Sequence, residues 1–314
     1  MKLFIGSVAA ALGFAALPAA LLAQWPSYPT PNVPKLANGK PNMEGPTPRT
    51  PDGHPDLSGI WQYVGLRGAR PPAGGATPGS GPSPAVPPTG DSSAKSPAPP
   101  PPPTPPPAGS VGLGPPRGPN QFFNIGTTVK GGLPFTPWAA ALRKERMDNN
   151  NKDNPDAHCL PLGLTQLHMH PQPRKMIQMP GLIVILYEAQ GGVRQIFMDG
   201  RPLPKTDDSD PWWYGYSIGH WDGDTLVVET NGFRDDVWLD VEGSPLTNTG
   251  KMTERFRRPD FGHLEIDVTV EDPKAYTHPW TVRINQRLLL NTDLIEFICN
   301  ENEKSDAHLV GKQD

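Results

Sequence analysis

Cysteine is nearly absent from this chain: 314 residues carry two, Cys159 and Cys299. Two thiols cannot build a multi-bridge framework, and neither sits in a nucleophile motif, which argues against thiol catalysis. Beyond the first 23 residues no stretch approaches the roughly 18 consecutive apolar residues of a membrane span. Positive charge is not in excess either. The 28 Lys and Arg against 32 Asp and Glu give a formal charge of −4, so no basic surface is expected and a nucleic-acid partner is not. Gly-x-Ser-x-Gly, His-Glu-x-x-His, the Walker pattern and the dinucleotide fingerprint are all missing. These absences name no reaction and no cofactor, and oligomeric state leaves no mark in the sequence.

What the chain does hold is proline, 43 residues of it, unevenly spread. Met1-Lys2 followed by the apolar run Leu3 to Ala23 reads as a secretory signal peptide cut after Ala23. Residues 24–56 are rich in Pro, Asn and Gly and read as an extended arm. Residues 57–69 hold a first strand. Residues 70–119 carry 19 of the prolines, and such a segment cannot bury enough apolar surface to offset its ordering entropy, so a disordered insertion is expected. Residues 120–314 complete the domain. Export, to the periplasm or beyond the cell, puts the two cysteines where thiols oxidise. One Cys159–Cys299 disulfide is therefore expected, with two separate buried thiols as the alternative.

Thr136-Pro137 supplies an N-cap and a first-turn proline, which predicts a surface helix near 137–148 docked through Trp138, Ala141 and Leu142. From Met176 onward the pattern is β. Tyr216 to Trp221 and Thr225 to Thr230 form a hairpin about Asp222-Gly223. Leu264, Ile266, Val268 and Val270 alternate with polar residues, so one face of that strand is buried. With Ser58 to Tyr63, Leu182 to Tyr187, Val193 to Met198, Met252 to Arg257, a strand through Trp280 to Ile284, and Leu294 to Cys299, about nine strands follow one another. The fold class is all-β, an antiparallel barrel or sandwich with one surface helix.

Two resemblances follow from the motifs. Ser58-Gly59-Ile60-Trp61 on a first strand resembles the Gly-x-Trp signature of calycin barrels, the lipocalin-like group. The segments Pro51-Asp52-Gly53-His54-Pro55-Asp56-Leu57-Ser58-Gly59-Ile60-Trp61, Gly219-His220-Trp221-Asp222-Gly223-Asp224-Thr225-Leu226-Val227-Val228-Glu229-Thr230, Thr253-Glu254-Arg255-Phe256 and Asp272-Pro273-Lys274-Ala275-Tyr276-Thr277-His278-Pro279-Trp280-Thr281 are together similar to a large family of secreted soil-bacterial proteins. That resemblance implies an exported protein and brings no activity with it. Relatives often carry Pro-His-Ser or Pro-His-Thr where this chain has Pro245-Leu246-Thr247.

Four groups of residues are candidates for function. His168-Met169-His170 has strand spacing for a metal, soft copper above all, if the two imidazoles share a face; a proline-bounded loop is the alternative. Trp212, Trp213 and Tyr214, with Tyr216, form a platform for a sugar ring or other flat ligand. His220 lies on the central hairpin. Glu254 shares a strand face with Met252 and Phe256, which aims a carboxylate inward either as a site group or in an ion pair with Arg283 or Arg287. The leading expectation is a β protein that binds a small apolar or aromatic ligand. A hydrolase or lyase working through inward Glu and His groups, and an envelope interaction module, stand as alternatives.

Overall fold

The computed structural model describes residues 28–65, 124–205, 210–299 and 301; the expected signal peptide and the expected disordered insertion lie outside the described residues. The strands are β1 (Gly59–Gly65), β2 (Arg174–Met179), β3 (Leu182–Tyr187), β4 (Val193–Phe197), β5 (Tyr216–Asp222), β6 (Thr225–Asn231), the short β7 (Val237–Trp238) and β8 (Pro245–Leu246), then β9 (Lys251–Arg257), β10 (His263–Glu271) and β11 (Trp280–Leu289). Nine of them close into a barrel in the order β1-β11-β10-β9-β6-β5-β4-β3-β2, while β7 and β8 pair apart from it.

That ring follows chain order, and its count has a consequence for direction. Strands that alternate up and down can close a ring only if their number is even. Nine is odd, so one neighbouring pair must run parallel. The expected all-antiparallel succession is corrected here: β4 and β5 are parallel, joined only through Ile196↔Ser217 and Phe197↔Ile218. Every other ladder of the barrel is antiparallel.

The membership of the nine also differs from the sequence reading. β2 is in the ring and Leu294 to Cys299 is not a strand. The reason is closure: β11 already pairs with β10 on one side and β1 on the other, so it offers no free edge to the segment that follows it. The tail instead runs over the outside, where Lys175 Nζ holds Asp293 at 2.9 Å and the Glu188 carboxylate accepts from Ile295 N at 3.0 Å. Cys299 is joined to Cys159 in the expected disulfide, with Cα atoms 5.7 Å apart.

Alternate positions fill the interior as the period-two pattern requires. Leu264, Ile266, Val268 and Val270 are fully buried, as are Ile183, Ile185, Phe256 and Ile284, each burial contributing roughly 1.5–3 kcal/mol. Trp61 is fully buried too. Its Nε1 donates to Leu57 O at 2.9 Å, and the Arg258 guanidinium lies 4.9 Å from its ring centroid.

The two ends of the barrel are unlike. One is closed by tight connections, among them the Asp222-Gly223-Asp224 turn, and by the N-terminal arm, which folds against it through Gly262 N to Met43 O (2.7 Å) and Arg49 to Asp224 (2.6 Å). The other end gathers the long connections, which is where binding residues concentrate on a rigid scaffold. Here lie α1 (Pro137–Asp148), α2 (Leu164–Met169), the β7–β8 pair and the segment entering β5.

Thr136 caps α1 by accepting from Ala139 N at 3.3 Å, but the docking face is not the apolar one expected. Trp138 is 44% exposed, and the inward stripe is Ala139, Leu142, Arg143 and Arg146. Arginine does the docking because its partners are waiting on the other side: Arg143 pairs with Glu242, and Arg146 stacks 4.4 Å from the Trp238 ring centroid while donating to Gly243 O. α2 is buried on every side, as a helix that plugs a barrel end must be.

Candidate functional site

The parallel seam is short, so along part of its length something other than backbone must hold β4 to β5. β4 residues Val193–Gln195 pair with β3 and have no partner on β5. Arg194 takes over. It points inward with Ile196, and its guanidinium spans four neighbouring strands: Nε and Nη2 reach Ser217 Oγ on β5 at 3.1 Å, Nη2 reaches Thr230 Oγ1 on β6 at 3.0 Å, and Nη1 reaches Glu254 Oε1 on β9 at 3.0 Å. A second bond to Glu254 Oε2 makes the pair bidentate, the geometry in which Arg and carboxylate bind most firmly. Ser217 and Thr230 complete the set at 2.9 Å from one another.

His168, at the end of α2, closes this network from above. Its Nε2 lies 2.7 Å from Glu254 Oε1, and both side chains are buried. Burial alone would raise the Glu254 pKa, but Arg194 and His168 outweigh it and hold the carboxyl at about 2. Because Glu254 is ionised, the shared proton sits on His168 Nε2 and Nδ1 carries the lone pair. Burial dominates at the imidazole and lowers its pKa, so it is neutral. Arg174 donates to the carbonyls of His168, His170 and Gln172, a cation at a helix C-terminus where one is favoured; burial brings it down to about 10.

Outside this network, where β4 and β5 part, a cleft of about 360 Å³ opens, lined by Arg194, Phe197, Trp212, Trp213, Tyr214, Tyr216 and their neighbours. Tyr216 stacks on Phe197 with centroids 5.1 Å apart, and Trp212 leans on Tyr216 at 5.5 Å. Arg201 covers Phe197 at 3.9 Å and donates to Tyr216 Oη at 3.0 Å. Tyr214 turns toward the barrel beside Tyr187, and a Cβ on Gly192 would fall 2.6 Å from its hydroxyl.

The turn that sets these aromatics needs Gly215. Its φ is +63°, and a Cβ there would meet Thr230 Cγ2 at 2.6 Å and Asn231 O at 2.7 Å. Gly215→Ala is expected to cost about 1–3 kcal/mol, read by urea unfolding, and to disturb the near-ultraviolet aromatic signal, because Thr230 belongs to the Arg194 network.

A second cleft, about 590 Å³, lies between α1 and the segments 153–160 and 234–238. Trp213 lines both clefts.

Of the residues singled out in the sequence, Trp212, Trp213 and Tyr214 come together at the seam. Glu254 is inward as expected, but it meets the cleft through Arg194 and does not line it; its partner is not Arg283 or Arg287. Arg283 faces outward to Asp267. His220 is exposed and four residues beyond Tyr216, ~13 Å along β5, so it stands apart from the aromatics. His168 and His170 lie on and just past a helix, where residues two apart do not share a face, and among the described residues no three His, Cys, Asp or Glu group to hold a metal. Arg194 escaped the sequence reading because Val193 and Phe197 on one face and Ile196 on the other leave the inward phase of β4 undefined.

Compared with protein-family models, curated proteins and solved structures, the chain matches none.

Proposed function

We propose that this is an exported binding protein whose ligand, small and largely apolar or aromatic, sits in the cleft at the β4–β5 seam. The observation that carries this reading is the coincidence of the cleft with the parallel seam, where the ladder has only two residue pairs and where Phe197, Trp212, Trp213, Tyr214 and Tyr216 converge. Cleft volume is in the range of small-molecule sites, ~300–1,000 Å³. Behind it, the Arg194–Glu254–His168 network gives the rim a rigid backing, which limits the entropy lost on binding. The disulfide is in keeping with export. Gly59-Ile60-Trp61 on the first strand of a closed barrel is in keeping with a calycin-like kinship; the resemblance to secreted soil-bacterial proteins is in keeping with export.

The test uses N-phenyl-1-naphthylamine, an uncharged aromatic dye, as probe. Its emission should rise on adding the protein, and Trp212→Ala, at a 40% exposed side chain whose loss leaves the core intact, should weaken binding about tenfold. Equal binding by both proteins would sink the proposal.

A second reading has one observation in its favour. Ionised Glu254 leaves His168 Nδ1 as a buried base without a hydrogen-bond partner, which is the arrangement a hydrolase or lyase would use. It predicts a turnover that His168→Gln abolishes while the fold survives.

A further inference from the structure

We propose that the seam cleft and the α1 cleft are adjoining subsites of one groove for a linear, uncharged oligosaccharide, with Trp213 as the shared platform. This rests on the seam cleft being a ligand site, and in place of a small, largely apolar ligand it gives that cleft one ring of a longer ligand whose ring faces are apolar and whose edges are polar.

Charge decides the class. In the α1 cleft Arg146 and Arg234 stand against Glu145, Asp153 and Asp236, so there is no positive field to hold a phosphate, sulfate or carboxylate. At the seam, Arg194 is already saturated by Glu254, Ser217 and Thr230. In the α1 cleft Arg234 is paired with Asp236, and Arg146 lies over Trp238 and donates to Gly243 O, so three carboxylates against two guanidiniums leave an anion no net attraction at either place. A wholly apolar ligand fits the seam but not the α1 cleft, where it would strip water from carboxylates and offer them nothing in return.

The remaining ligand has apolar faces and edges rich in hydroxyl groups. Sugar rings have both. Their C–H faces lie on indole and phenol rings, and their hydroxyls donate to carboxylates and accept from guanidinium and amide groups. The α1 cleft sets such groups around Trp213, with Trp238 buried behind Arg146. The Arg234 guanidinium is 4.9 Å from the Trp213 centroid and Arg146 is 4.4 Å from that of Trp238, so both indoles are fixed in orientation before a ligand arrives. Glu145 on α1, Asn149 at its C-cap and Asp153 beyond it supply the hydrogen-bonding edge. Because the two clefts meet at one residue, a ligand that fills both is longer than a single ring, and each added ring finds new surface until the groove is full.

Isothermal titration calorimetry of the full chain with neutral β-1,4-linked glucose, xylose, mannose and N-acetylglucosamine oligomers of one to six rings tests this. One series should bind with affinity that climbs with ring number and then levels. Trp213→Ala should lower affinity about tenfold or more at every length. Asp153→Asn should weaken long oligomers and spare short ones, and Trp138→Ala, on the outer face of α1, should leave binding unchanged. Dye binding without binding of any oligomer overturns the saccharide proposal and leaves the seam reading standing; failure of both probes overturns both. Binding that does not depend on ring number overturns the shared groove. Displacement of the dye by a proline-rich decapeptide, with all oligomers silent, assigns the surface to a peptide and likewise overturns it.

Discussion

Replacing Glu254 by alanine is expected to lower the unfolding free energy by about 3–5 kcal/mol, because it leaves the buried Arg194 guanidinium without a counterion. Ser217 and Thr230 are neutral acceptors and cannot take over the charge. The double variant Arg194→Met/Glu254→Leu removes both ions and should unfold at a higher urea concentration than Glu254→Ala alone, even though His168 Nε2 then loses its acceptor. A loss below about 1 kcal/mol in the single variant would mean that the pair does not tie the seam. The pH dependence follows from the same groups. Glu254 is depressed from 4.5 to about 2 in the fold, so the stability it contributes is present above pH 4.5 and is lost as the pH falls from there through about 2. His168 is depressed below its ordinary 6.5; under pH 6.5 the unfolded chain binds that proton more readily than the folded one, so stability declines already from 6.5 downward. A urea midpoint that is level above pH 7 and falls in two stages on acidification is the expected profile. The lower stage should shrink in the double variant.

The same network shows what the sequence makes legible. Strict alternation, as in Leu264 to Val270, places a strand and its buried face, and the alternation of Met252, Glu254 and Phe256 is enough to send Glu254 inward. The Asp222-Gly223 turn and the Thr136 cap are likewise local chemistry, and both stand in the structure. Residues of the quoted motifs also turn out to be largely architectural. Asp272 accepts from Thr247 N at 2.7 Å and from Lys274 N at 3.1 Å, and Tyr276 Oη donates to Pro245 O at 2.8 Å. Partner identity is another matter. Arg194 is 60 residues from Glu254, and nothing local to β4 says which face is inside. The seam itself is a global property, since it follows from the parity of a closed ring and not from any residue. The tryptophans at its mouth are legible as a cluster in the sequence, but their cleft is not. His168-Met169-His170 is ambiguous for a simpler reason: two histidines with an apolar residue between fit a strand, a loop or a short helix, and the burial of α2 against Trp238 and Leu239 selects the helix, with His170 just past its end.

Removing the disulfide should be the other large effect. Cys159 and Cys299 are 140 residues apart, and the loop they close contains every barrel strand but β1. In the chain-entropy model, cross-linking so long a loop stabilises the fold by about 5 kcal/mol, by restricting the unfolded ensemble. Cys159→Ser/Cys299→Ser should therefore lower the urea midpoint strongly and steepen the m-value, because the uncrosslinked chain exposes more surface on unfolding. The folded state should change only locally. Glu188 and Lys175 still hold the tail at Ile295 and Asp293, so the barrel has no reason to open. What loosens is the short segment around Cys159, a non-glycine residue with φ of +56°, which precedes Leu160 and follows Pro155 on the wall of the α1 cleft. Ligand contacts there should weaken in the serine variant while those at the seam persist. Dye binding at the seam is thus expected to survive reduction of the protein, and oligomer binding is expected to lose its dependence on ring number. Equal loss of both on reduction would mean that the disulfide supports the whole barrel rather than one wall of the groove.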